Sequence, residues 1–146
     1  MREIQTKLSS GCLMPEYKTE GAAGADLYAY LPAGQIVIKP GEIKKVPSGV
    51  HLNMQDKNLA VMLMPRSSLG MKQIKLANTI GLCDSDFLGD LSMLLENTGT
   101  EDFIVSHQDR LAQIVFFHVE QVKFKTMKEF DTMTARGEGG FGSTGK

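Results

Sequence analysis

This sequence predicts an all-β fold, a jelly-roll-like barrel or sandwich carrying one short helix. Three observations predict it. Strand-length apolar or alternating segments recur along the chain, turns containing Pro and Gly separate them, and only residues 67–72 look helical.

Taken in order, residues 36–38 (IVI) form an expected strand between the Pro32-Ala33-Gly34 and Pro40-Gly41 breaks. Residues 43–46 and 50–53 follow, separated by the Pro47-Ser48-Gly49 turn. Residues 59–64 (LAVMLM) are apolar at every position, so a strand there needs cover on both faces. Residues 67–72 make one or two helical turns. Strands are then expected at 74–80, at 90–96 before the Asn97-Thr98-Gly99 turn, and at 103–105. Residues 113–119 hold a second run apolar on both faces (IVFF), and 121–125 alternate through Val122, Lys123, Phe124 and Lys125 as a half-buried strand does. In a chain this small, part of the cover for the two doubly apolar runs is expected from another subunit.

With 146 residues, one domain is expected. We divide it at residue 135, with a β domain over 1–135 and a mobile arm over 136–146. The composition is 42% hydrophobic and 23% charged, with a formal net charge of −1. Such a balance offers no basic excess for nucleic acid, and no run of transmembrane length implies a membrane. Cys12 and Cys83 lack metal-ligand spacing, and the first residues lack a signal-like apolar run. A cytoplasmic location with free thiols is therefore expected.

Residues 136–146 (RGEGGFGSTGK) contain five glycines, which lose the most conformational freedom on ordering. The arm is a poor core builder, yet it carries Arg136, Ser143 and Thr144, which can hold phosphate oxygens, and Phe141, which can stack on a base. Glycine-exposed backbone N–H groups add anion donors. These features describe an arm that closes over a nucleotide polyphosphate. A ligand bearing about four negative charges needs locally placed Arg and a divalent metal when the protein is near neutral.

Four further segments are dense in small and polar residues: 22–27 (AAGADL), 65–70 (PRSSLG), 81–90 (GLCDSDFLGD) and 109–113 (DRLAQ). Singly each has a structural explanation: Asp26 could cap a turn, Arg66 could pair with a carboxylate, and Asp84 and Asp86 could be hairpin residues. Together with the arm, in this order, they resemble the five motifs of the trimeric dUTP pyrophosphatase (dUTPase) family. The resemblance runs from about residue 18 to 146. It implies a homotrimer with active sites shared between subunits, and Mg²⁺-assisted cleavage of dUTP to dUMP and pyrophosphate. That reaction limits uracil incorporation into DNA and supplies dUMP.

The resemblance also implies roles, residue by residue. Asp84 stands where the family's carboxylate activates water for attack on the α-phosphorus. Arg66, Ser67 and Gln113 map onto phosphate-contacting positions, with Ser67 near the α–β bridge, where leaving-group charge develops. Asn78 matches the uracil-reading position, and Phe87 stands where the family usually has Tyr beneath the deoxyribose. Ser68, Gly81 and Gly142 fall among the substrate-contacting positions. Asp26 supports Mg²⁺ through a bound water, or supports the Arg66 loop. Asp109 and Arg110 are expected to form a structural salt bridge. In the arm, Phe141 stacks over uracil while Arg136, Ser143 and Thr144 meet the outer phosphates, Arg136 acting much as an arginine finger does. Cys83 and Leu88 depart from the residues usual at their positions.

Two other readings share parts of this pattern. A dCTP deaminase has the same fold but a different catalytic segment, which is not found here. A non-catalytic dUTP-sensing or partner-binding module would not need Asp84, Arg66 and Gln113, all of which are present.

Overall fold

The structure, a computed structural model, describes residues 2–140. Eleven strands and one short helix account for its regular structure: β1 (Gln5–Leu8), β2 (Ala25–Tyr28), β3 (Gln35–Ile38), β4 (Ile43–Val46), β5 (Val50–Asn53), β6 (Leu59–Pro65), α1 (Ser67–Met71), β7 (Ile74–Leu76), β8 (Gly81–Cys83), β9 (Met93–Asn97), β10 (Phe103–Ser106) and β11 (Arg110–His118). Every pairing is antiparallel. The strands form a four-stranded sheet in the order β2-β11-β6-β8, a three-stranded sheet β4-β9-β7, and the pairs β1-β5 and β3-β10.

One apolar cluster draws on all four sheets. Leu27, Val61 and Ile114 enter it from the four-stranded sheet, Val46, Met93 and Leu95 from the three-stranded one, Ile38 and Val105 from β3-β10, and Val50 from β5. The two doubly apolar runs lie side by side as β6 and β11, paired over seven residues in the middle of the larger sheet. Their inner positions, including Val61, Leu63 and Ile114, are buried, whereas Met62, Met64, Val115 and Phe117 are only half-buried. Neighbouring Leu82, in register with Met62, is 63% exposed. The outer cover is thus partial within a single chain.

Four elements differ from expectation. β1 was not anticipated, because QTKL has neither an apolar run nor a turn before it. β2 lies within a segment read only as a motif. The strand expected over 74–80 stops at Leu76 as β7; residues 77–80 form a turn in which Thr79 adopts φ 64°, and β8 begins beyond it in a different sheet. Residues 121–125 form no strand: Phe124 is 92% exposed, and alternation without a partner strand builds no ladder. The helix lies where expected. Among the described residues, no helix is long and apolar enough to cross a membrane, and both cysteines are free thiols.

Candidate active site

The expected site residues fall into two groups. The first surrounds the 78–92 segment. Asn78 sits at the turn after β7, where Thr79 N–H donates to Leu76 O and Ile80 N–H to Asn78 O. A β-branched residue at positive φ costs about 1–3 kcal/mol, so the strain falls beside the candidate base reader. Gly81 then presses on β6: a Cβ there would lie 3.0 Å from Leu63 Cβ and 3.6 Å from Asn78 Nδ2. After β8 the chain turns at Asp84, whose carbonyl accepts from Phe87 N–H at 3.2 Å, and Asp is favoured at that first turn position.

This turn is held down by Asp90. Its carboxylate accepts the N–H groups of Ser48 (3.2 Å) and Gly49 (2.6 Å) and the Ser92 hydroxyl, fixing the end of the segment to the turn between β4 and β5. The resulting cleft of about 360 Å³ is lined by Asn78, Gly81, Cys83, Asp84 and Phe87, with Lys45 from β4 as its only cation among the described residues. Burial, and secondly the Asp84 charge, push the Cys83 thiol above its ordinary value of 9.0, so it stays protonated. Asp84 itself is exposed.

The second group lies at the other end of β6. Asp26 on β2 is 7% exposed and bridges two guanidiniums, with Arg66 Nε on Oδ1 and Arg110 Nη1 on Oδ2, both at 3.3 Å. Arg110 therefore pairs with Asp26 and not with Asp109, contrary to the expected bridge. Asp109 instead accepts the Ser106 N–H at 2.8 Å and closes the turn into β11. Gln113 is the register partner of both Asp26 and Met64. It lies against Gly24, where a Cβ would stand 3.1 Å from Gln113 Oε1. Ser67 and Ser68 are exposed on α1, directly after Arg66.

One chain does not join these groups. Val61 pairs with Cys83, which puts Asp84 level with Ala60, whereas Gln113 is level with Met64. Four residues of strand separate those levels by about 13 Å, and the two strand spacings between β8 and β11 add about 10 Å sideways. In the arm, Arg136 Nε donates to Gly139 O at 2.9 Å. Phe141, Gly142, Ser143 and Thr144 lie outside the described residues.

A metal fits this donor set in one way. Among the described residues no three His, Cys, Asp or Glu side chains converge as ligands, and both Asp26 oxygens already face guanidiniums. The residues suit a Mg²⁺ that arrives on the triphosphate and keeps most of its water, rather than a protein-built cage.

Comparison with known proteins decides the family. The dUTPase family pattern matches residues 12–145. The chain belongs to the dUTPase family. A deoxyuridine 5′-triphosphate nucleotidohydrolase of Janthinobacterium sp. (strain Marseille) is 48% identical over 150 residues, spanning 100% of this chain and 99% of the relative. The dUTPase of Staphylococcus bacteriophage 80alpha, solved with dUPNHPP, is 23% identical with a TM-score of 0.85 and complete coverage of both chains. A mutant dUTPase of phage phi11 of S. aureus, whose structure describes coordination of a structural Mg(II) ion, is 19% identical with a TM-score of 0.81, covering 90% of this chain and 100% of that one. These two likenesses establish the dUTPase fold for the chain.

Asp90, Gly24, Arg110 and Lys45 are the residues of this dUTPase-family site whose placement the sequence did not disclose. The first three act through partners distant in sequence. Lys45 reads as an ordinary strand residue.

Proposed function

We propose that this dUTPase-family protein is a dUTP diphosphatase, hydrolysing dUTP to dUMP and pyrophosphate. The single observation that carries the reading is the full-length likeness to a named dUTP nucleotidohydrolase at 48% identity. The cleft supports it, because an amide, an aromatic ring and a carboxylate line it together, the kinds of group that a base, a sugar and an attacking water require.

In this mechanism the Asn78 amide and nearby backbone groups pair with uracil, whose acceptor–donor–acceptor edge differs from that of cytosine. A mispaired base leaves buried groups unsatisfied, at about 1–3 kcal/mol each. The Phe87 ring lies beneath the deoxyribose and leaves no partner for a 2′ hydroxyl. Asp84 takes a proton from water, whose oxygen bonds to the α-phosphorus as the bond to the α–β bridging oxygen breaks. The departing pyrophosphate carries the charge that Ser67, Arg66 and Gln113 receive. Asp26 would reach a substrate-borne Mg²⁺ through water, and the ion when bound would supply neutralisation of part of the polyphosphate charge.

Because Asp84 and Gln113 lie about 16 Å apart in one chain by the strand spacings above, the two groups act together only when they come from different copies. We therefore read the assembly as an oligomer with shared sites, the homotrimer that the resemblance to the family implies. The partly covered outer face of β6 and β11 supports this, as does the exposed apolar stretch that includes Phe124, Phe130 and Met133. Residues 136–146 form the arm that crosses and closes over the triphosphate, bringing Arg136, Phe141, Gly142, Ser143 and Thr144. Substrate, Mg²⁺ and further copies of the chain are the partners proposed, in the cytoplasm, with neither nucleic acid nor membrane.

The test is pyrophosphate release from dUTP, UTP, dCTP and dTTP, with and without Mg²⁺. Rapid release from dUTP alone, dependent on Mg²⁺, is expected. Consumption of dCTP or UTP while dUTP survives would overturn the assignment, and ammonia release from dCTP would replace it with deamination.

A further inference from the structure

Gly89 is crowded as no other described glycine is. A Cβ built there would stand 2.4 Å from Phe87 Cζ, 2.8 Å from Cε2 and 3.2 Å from Cε1. Those three atoms are the far edge of one ring, so that edge lies over the Gly89 backbone. The backbone itself does not require glycine, since Gly89 is not among the positive-φ residues. What requires glycine is the ring.

The surroundings decide which partner would yield. Asp90, the next residue, holds the N–H groups of Ser48 and Gly49, and Leu91 N–H donates to Val50 O at 2.9 Å. The backbone at Gly89 is therefore tied down immediately after the glycine. Phe87, by contrast, is 44% exposed and lines the cleft. A methyl group at position 89 would displace the ring by about 1 Å before ordinary carbon–carbon contact is restored.

We propose that Gly89 is a positioning residue for sugar selection: the space left by its missing side chain berths the far edge of the Phe87 ring and sets where the ring meets the deoxyribose. The inference rests on the reading of Phe87 as the ring beneath the sugar. An error of 1 Å in such a contact costs up to about 100-fold in rate.

Steady-state kinetics on dUTP and UTP test it, using the full chain, Gly89→Ala, Phe87→Ala and the double variant, with thermal unfolding measured alongside. Gly89→Ala is expected to unfold with the parent protein but to lose about 10- to 100-fold in kcat/KM for dUTP, mainly through KM. Its preference for dUTP over UTP narrows. In the Phe87→Ala background the same change should alter kcat/KM by less than about twofold, because there is no ring left to displace. An equal loss in both backgrounds, or no loss in the parent, overturns the berth while leaving Phe87 at the sugar. If Phe87→Ala leaves both substrates unaffected, the sugar reading itself falls and takes the proposal with it. Independently of Gly89→Ala folding, the Gly89 Hα resonances should carry a ring-current shift that disappears in Phe87→Leu. Its absence from the parent protein also overturns the berth.

Discussion

Asp26 grips Arg66 by a 3.3 Å ion pair that reaches from β2 past β11 to the turn after β6. The same carboxylate holds Arg110, so a single nearly buried charge keeps two guanidiniums in place. Asp26→Asn leaves those cations facing each other without a counter-charge. Stability should fall by about 1–3 kcal/mol, less than the roughly 3–5 kcal/mol of a fully buried broken pair, because both arginines are partly solvated. Urea unfolding measures this. A variant as stable as the parent would show that the pair contributes no net stabilisation.

Asp84→Asn keeps the size of the side chain and removes its basicity. Turnover of dUTP should drop by about 10²–10⁴-fold, while calorimetry still detects binding of a non-hydrolysable dUTP analogue. Retained turnover would require another base.

Asp90→Ala removes the acceptor for two backbone N–H groups and a hydroxyl at once. A loss of about 2–3 kcal/mol is expected, with faster amide exchange at Ser48 and Gly49. Unchanged exchange at those two amides would mean that Asp90 does not tie the Asp84 turn to its neighbour.

The pH dependence of stability follows from the shifted groups. Cys83 and Cys12 titrate above 9.0, each chiefly because burial disfavours the thiolate and secondly because Asp84 or Asp90 is near. Unfolded thiols lose protons first, so stability should decline as pH rises beyond about 8.5 and level off once the folded thiols ionise. Cys83→Ser should flatten that decline. At the acid end, Glu42 is lowered first by the Lys39 N–H, and Asp56 by the Asn58 N–H and then Arg2. Their stabilisation is present above the ordinary carboxylate range and is lost as pH falls through it. Unfolding midpoints across the pH range check both limbs.

Deleting residues 136–146 should leave folding and assembly intact and remove most dUTP turnover. Sedimentation and pyrophosphate release read the two outcomes separately. A monomeric or unfolded truncation would give the segment a structural role instead.

Much of the architecture could be read from residue pattern. The doubly apolar runs became the paired central strands β6 and β11, and the Pro/Gly turns bound β3, β4 and β5 where expected. Patterns failed where pairing, rather than side chains, makes the strand. β1 is half polar and exists because β5 offers it a ladder, whereas 121–125 alternates and has no partner among the described residues. The break between β7 and β8 was hidden because Thr79 is a strand former held in a left-handed turn. At the candidate site, the order of the motifs nominated the residues. It could not convey that Arg110 belongs to Asp26, or that a glycine serves as the seat of a ring.

The distance along β6 between Asp84 and Gln113 has a consequence for mixtures. Subunits inactivated by Asp84→Asn, and others inactivated by Arg66→Ala, each keep the half that the other lacks. Dissociated together and allowed to reassemble in equal amounts, they should recover roughly a quarter of the full complement of working centres by random association. Two dead proteins would thus yield a live one, which no enzyme with a self-contained centre can do.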